Sequence, residues 1–125
     1  MRAMLLTATA SLDANPAPLE LVEIDDPSPV GDEILIRVAA CGVCHTELDE
    51  IEGRTPPPVL PVIPGHQVVG VVIDKGHDCK ILKIGDRVGV AWINEACGEC
   101  EYCKSGNENL CEKFKATGRD VNGGY

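Results

Sequence analysis

Aromatic side chains are nearly missing from this sequence: 125 residues hold one Trp, two Tyr and one Phe. Any core must therefore be assembled from Val, Ile, Leu and Ala. Basic charge is short as well, with 11 Lys and Arg against 20 Asp and Glu, for a net charge of -9. That balance argues against nucleic acid as a partner, because phosphate binding needs a basic surface. It argues equally against an anionic membrane surface. Every apolar run breaks at Gly, Pro or a charge well short of the ~20 residues that a bilayer span needs. Residues 1–10 carry Arg2 and lack a long apolar stretch, so no secretory leader is expected and a cytoplasmic location is. No G-x-G-x-x-G turn is present. The length suits one domain and is too short for an α/β enzyme with its own dinucleotide fold. Cofactor chemistry, if any, would have to be completed by residues beyond these.

Cysteine is the residue in excess. There are seven, an odd number, so complete internal pairing is impossible. Four cluster as Cys97, Cys100, Cys103 and Cys111, a C-x2-C-x2-C-x7-C spacing. Two residues between thiolates let neighbouring sulfurs converge on one ion, and four thiolates close a tetrahedron with no open position, as in structural zinc sites. An iron–sulfur cluster also begins C-x2-C-x2-C, but its bacterial run continues with three residues and Cys-Pro, whereas seven residues intervene here and Glu112 follows. Disulfides are the third reading, disfavoured by close spacing and a reducing compartment. Cys41 and Cys79 read as small buried apolar residues.

The rest of the chain is punctuated by Gly and Pro. Strand patterns cover residues 1–9, 19–24, 33–40, 67–73 and 87–93. One short helix is expected over residues 46–52, capped by Thr46 with Asp49 three residues on, and with Leu48 and Ile51 on its apolar face. Residues 54–64 form a proline-rich loop, and residues 94–112 the cysteine lobe. Residues 117–125 carry little helix signal. The pattern predicts a mainly β, partly open barrel with few helical residues and one inserted metal lobe near its C-terminal end.

Between the β runs lie Cys41-Gly42-Val43-Cys44-His45-Thr46-Glu47 and Pro64-Gly65-His66-Gln67. Catalytic zinc sites use three protein ligands, often a mixed Cys/His set, and keep one position open. Cys44 and His66 could supply two of three. On residue type alone, a histidine beside a strand reads equally as a hydrogen-bonded structural residue. In family order, however, the chain also carries Gly70-Val71-Val72, Gly85-Asp86-Arg87-Val88-Gly89-Val90, Trp92-Ile93, the four-cysteine lobe with Gly106-Asn107-Glu108, and Gly123-Gly124-Tyr125. Taken together, these pieces resemble the N-terminal, GroES-like catalytic domain of the zinc-dependent medium-chain alcohol dehydrogenases over nearly the whole chain.

The resemblance implies a role for each matching residue. Cys44 and His66 match two ligands of the catalytic zinc, and Cys97, Cys100, Cys103 and Cys111 match the structural zinc lobe. Thr46 matches the hydroxyl that hydrogen-bonds the alcohol and begins proton removal; its plainer reading is the helix cap. His45 matches a basic position facing the pyrophosphate of NAD or NADP, against the plainer reading of an exposed loop histidine. Trp92 matches a wall of the substrate pocket, or is simply core. Glu47 stands where the family usually has Asp to orient the ligand histidine, Gln67 where it usually has Glu, and Asp49 where many relatives carry a relay histidine, so Asp49 relays protons or caps the helix. A modest shift in zinc affinity is expected from Gln67.

The resemblance further implies an alcohol and its aldehyde or ketone as substrates. It also implies a third zinc ligand and an NAD(P)-binding Rossmann domain downstream, with a homo-oligomeric parent. Residues 1–125 are then the whole GroES-like domain, expected to be inactive alone and to self-associate through apolar surface left uncovered. The same residues also fit a freestanding zinc-binding or interaction module whose Cys44/His66 pair is vestigial, or a relative acting on aldehydes, polyols or thiol adducts.

Overall fold

The computed structural model describes residues Met1–Tyr125. The elements are β1 (Arg2–Leu6), β2 (Leu19–Glu23), β3 (Ile34–Gly42), α1 (His45–Ile51), β4 (Gln67–Lys75), β5 (Arg87–Val90), β6 (Ile93–Glu95), α2 (Glu101–Lys104) and β7 (Lys115–Ala116), with a 3-10 turn at Glu108–Leu110. The molecule is mainly β with open sheets and short helices, as its sequence predicts. The strands form three antiparallel sheets, β1-β2, β3-β4-β5 and β6-β7. No helix is long and apolar enough to cross a membrane.

With so few aromatics, the core is aliphatic. Leu6, Ile51 and Val62 are buried together, with Leu12, Leu19 and Leu60 packed against them. The Leu6 and Val62 backbones exchange hydrogen bonds of 2.8 and 3.1 Å, fixing the proline-rich loop to β1. That loop delivers the chain to His66. In β4, Val68, Gly70 and Val72 alternate inward, so a period of two buries one face.

Two expectations from the sequence need correction. The pattern over residues 87–93 reads as one strand, but it splits at Ala91 and Trp92 and changes sheet. The physical reason is Thr117: its N–H takes the Trp92 carbonyl at 2.7 Å and its hydroxyl the Ala91 carbonyl at 3.1 Å, removing both from the β4 ladder. The cap of α1 is Cys44, not Thr46. Cys44 Sγ accepts from the Thr46 N–H at 3.4 Å, and the Cys44 N–H donates to Glu47 Oε2 at 2.8 Å, a reciprocal capping box. The helix turns inward not a Leu48–Ile51 stripe but Glu47, Glu50 and Ile51.

Candidate metal and cleft site

Helix α1 begins at the end of β3, and β4 begins directly after His66. Cys41–Gly42 pairs with Val68–Gln67 across the β3-β4 ladder, so the two motifs are brought side by side by sheet register. The Gln67 side chain packs over Gly42: a Cβ there would lie 2.6 Å from Gln67 Oε1 and 3.2 Å from Gln67 Cβ. Gln67 thus lies over Gly42 at the mouth of the site.

The ligand-type atoms converge. Cys44 Sγ is 3.4 Å from His66 Nε2. Tetrahedral zinc with Zn–S of ~2.3 Å and Zn–N of ~2.05 Å requires an S···N edge of about 3.6 Å, so one ion fits between them. Glu47 Oε1 lies 2.8 Å from the other ring nitrogen, His66 Nδ1, with the two side chains 1% and 7% exposed. The two neighbours therefore occupy opposite sides of the imidazole. An ion on Nε2 would be shared with Cys44, with Glu47 placed on the far side of the ring from it. Cys44, Glu47 and His66 are brought together; Thr46 follows on the first turn of α1.

The outer part of α1 is polar. His45 is largely exposed, with Nε2 3.7 Å from Asp49 Oδ1. Asp49 is taken by the Arg54 side chain, which also holds Glu52 at 2.6 Å. The Asp49 position is thus a carboxylate paired with arginine.

A cleft beside this site is lined by His66, Gln67, Val68, Val69, Val90 and Trp92, among others. Trp92 packs against Phe114 with ring centroids 4.9 Å apart and the rings tilted by 55°, and the Arg119 guanidinium lies over both rings at 5.7 and 5.4 Å. Trp92 thus packs against Phe114 while also bordering the cleft.

The four clustered cysteines form a second centre. Cys97 Sγ and Cys103 Sγ are 3.9 Å apart, and Cys100 Sγ and Cys103 Sγ 3.5 Å. A tetrahedron of Zn–S bonds of ~2.3 Å has S···S edges of about 3.8 Å, and these distances bracket it. All seven cysteines are free of disulfides. The N–H groups of Cys97 and Cys100 donate to Cys111 Sγ and Cys97 Sγ at 3.4 Å. Backbone N–H groups of Glu99 and Cys100 pull the Cys97 thiol down, while burial and then the Cys100 thiol push Cys103 up. The bare cluster favours a thiolate at Cys97 but resists one at Cys103; a divalent cation would let all four ionise. The residues therefore fit zinc at both centres.

Burial raises the Cys41 thiol, and Glu47 raises it further, so it stays neutral beside the site. Cys79 is buried. Neither joins a ligand cluster.

Sequence reasoning missed the clamp that holds the two motifs together. Gly123 N–H donates to the Ile63 carbonyl, Gly124 N–H to Gly65 and Tyr125 N–H to Pro64, at 2.6, 3.0 and 3.1 Å. The Tyr125 hydroxyl donates to the Gly42 carbonyl at 3.0 Å. A Cβ at Gly123 would sit 2.1 Å from the Gly65 oxygen, so only glycine allows this approach. Tyr125 thereby bridges the backbone before Cys44 and the backbone before His66. The signal available in the sequence was the Gly-Gly-Tyr run itself.

The alcohol dehydrogenase GroES-like domain family matches residues 31–125. The chain belongs to that family. It is 49% identical over 109 residues to an alcohol dehydrogenase of Geobacillus stearothermophilus, covering 86% of this chain and 32% of that protein. Among solved structures, a cobalt- and zinc-bound thermostable alcohol dehydrogenase from Pyrobaculum aerophilum superposes with a TM-score of 0.87 at 32% identity, over 100% of this chain and 37% of that one. An NAD-dependent alcohol dehydrogenase gives 0.84 at 30% identity, over 98% of this chain and 35% of that one. The chain thus spans about a third of the length of the relatives it matches.

Proposed function

We propose that this chain is the catalytic domain of a zinc-dependent, NAD(P)-linked alcohol dehydrogenase that interconverts an alcohol with its aldehyde or ketone. The observation that carries the reading is the 3.4 Å approach of Cys44 Sγ to His66 Nε2, with Glu47 on the opposite ring nitrogen. Cys44 and His66 hold the catalytic zinc together with a third ligand outside these 125 residues. Zinc, when bound, polarises an alcohol oxygen and lowers its pKa. Thr46 accepts the hydrogen bond of the substrate hydroxyl and begins its deprotonation. Glu47 keeps His66 in the ligating tautomer. His45, exposed at the start of α1, faces the cofactor pyrophosphate, and Asp49 serves the proton path from beside it. Trp92 forms one wall of the alcohol cleft. Cys97, Cys100, Cys103 and Cys111 hold a second, structural zinc. An NAD(P)-binding Rossmann domain is the missing partner, and the assembled enzyme is a homo-oligomer. Seven unbridged cysteines suit the reducing cytoplasm.

Metal analysis tests this directly. Zinc-loaded chain is expected to carry two ions, with His66→Ala losing one and Cys111→Ser losing the other. Joined to its downstream sequence, the protein is expected to reduce NAD(P)+ with simple alcohols, and the chain alone to give no turnover. One ion per chain, with no turnover from the longer protein, would instead favour the freestanding zinc module.

A further inference from the structure

Trp92 borders the cleft beside His66, Val69 and Val90, yet its indole Nε1 is buried with no hydrogen-bond partner. The ring is therefore not fixed by its polar edge, where a buried tryptophan is usually tied. Its backbone is fixed from residue 117: the Thr117 hydroxyl donates to the Ala91 carbonyl at 3.1 Å, and the Thr117 N–H to the Trp92 carbonyl at 2.7 Å. The orientation of the ring itself is left to what packs on its face.

Two side chains that do not line the cleft do this packing. Phe114 meets the indole at 4.9 Å between centroids. The Arg119 guanidinium carbon lies 5.7 Å from the Trp92 ring centroid and 5.4 Å from that of Phe114. Both distances are inside the ~6 Å over which an aromatic face attracts a cation. Arg119 is itself anchored. Its Nε and Nη2 donate to Asp120 Oδ2 at 3.0 and 2.8 Å, and the same oxygen accepts the Ala116 N–H at 2.7 Å. Its side chain is only 22% exposed, so water screens the contact weakly. The neighbouring Gly118 seats this turn against the histidine motif, since a Cβ there would lie 2.8 Å from the Gly65 nitrogen. One short turn thus bears on the backbone ahead of His66 and on the ring of Trp92.

We propose that Arg119 is a positioning residue of the cleft: its guanidinium, tethered by Asp120, holds the Trp92 ring from the side away from the cleft and so keeps that wall in one place. The role suits arginine in particular. Its planar fork can donate twice to a carboxylate while its face lies on a ring, and lysine can do neither. A wall held in this way gives the cleft one shape, whereas an indole free to turn would give it several. The inference concerns the wall and not its occupant, so it does not depend on the cleft taking an alcohol.

Trp92 is the sole tryptophan, so its emission reports the wall without interference from another. The experiment is acrylamide quenching of that emission in the zinc-loaded 125-residue chain, with folding checked by far-UV circular dichroism. Arg119→Met keeps an apolar stem but removes the cation and both hydrogen bonds. Its quenching constant is expected to rise by at least about twofold, the low end for losing a partly desolvated cation–ring contact. Arg119→Lys keeps the charge without the fork and is expected to fall between Arg119→Met and wild type. Leu6→Ala loosens the separate core of Leu6, Ile51 and Val62 and is the control for lost stability alone. An unchanged constant in Arg119→Met, or an equal rise in Leu6→Ala, overturns the proposal. Should Arg119→Met fail to fold, proton NMR of the wild-type chain decides. Arg119 side-chain protons shifted by ring currents, with cross-relaxation to the Trp92 ring, support the proposal; unshifted protons at random-coil positions overturn it.

Discussion

Removing the Glu47 carboxylate perturbs the cap of α1 and the orientation of His66 at once, and two substitutions separate these effects. In Glu47→Ala the Cys44 N–H loses a 2.8 Å acceptor, and His66 Nδ1 loses the oxygen 2.8 Å away. Losing a cap costs typically ~1 kcal/mol. Leaving the buried ring nitrogen unpaired costs a further ~1–3 kcal/mol. Relief of repulsion with Glu50, whose ionisation Glu47 opposes, returns part of this. A net loss of about 2–4 kcal/mol is expected from urea denaturation of the metal-free chain. Glu47→Gln keeps an acceptor for the cap but removes the charge, so its stability loss should be near ~1 kcal/mol. Both substitutions should weaken zinc at Cys44 and His66 by about 10–100-fold, since the imidazole loses its orienting carboxylate. Competition with a chromophoric chelator measures that affinity, and the four-cysteine centre serves as the internal standard. The reasoning fails if Glu47→Ala is within ~0.5 kcal/mol of wild type with zinc affinity at the first centre unchanged.

Three further outcomes are expected. Cys111→Ser removes a thiolate from a position only 2% exposed. It should abolish one of two zinc equivalents and expose residues 94–112 to protease, because structural zinc supplies folding energy to its lobe. Leu6→Ala empties a fully buried site beside Ile51 and Val62 and should cost ~2–5 kcal/mol by denaturant titration. Tyr125→Phe deletes only the hydrogen bond to the Gly42 carbonyl; a loss of ~0.5–1.5 kcal/mol is expected, accompanied by a measurable drop in zinc affinity at Cys44 and His66.

The strand β4 was legible because Val68 to Ile73 form a short, β-branched apolar run of strand length. The four-cysteine lobe was legible because its spacing has few physical solutions. The convergence of Cys44 with His66 was not legible from spacing, since it depends on sheet register between residues far apart in the chain. It came from the resemblance. The α1 face was misread because Glu50 looks like a solvent-facing acid, while the inward role of Glu47 came only from the resemblance. Glu47 meets the ring nitrogen of His66, which is not local in sequence, and Glu50 lies one turn further along the same buried face. The break at Ala91 and Trp92 was hidden for the same reason, as Thr117 lies 26 residues from Ala91.

The clamp at Tyr125 has a consequence for the order of events during synthesis. Cys44 and His66 leave the ribosome early, and their sheet register can form as soon as β4 is complete. The residue that ties their two backbones together is made only after the whole cysteine lobe has emerged. Chains grow at about 5–20 residues per second, so the gap lasts for seconds. During it, a thiol and an imidazole stand near one another without the strap that sets their separation. On the proposed function, zinc captured in that interval would meet a loose pair, and zinc arriving afterwards a fixed one. The strap across Cys44 and His66 is therefore the last part of that centre to be made.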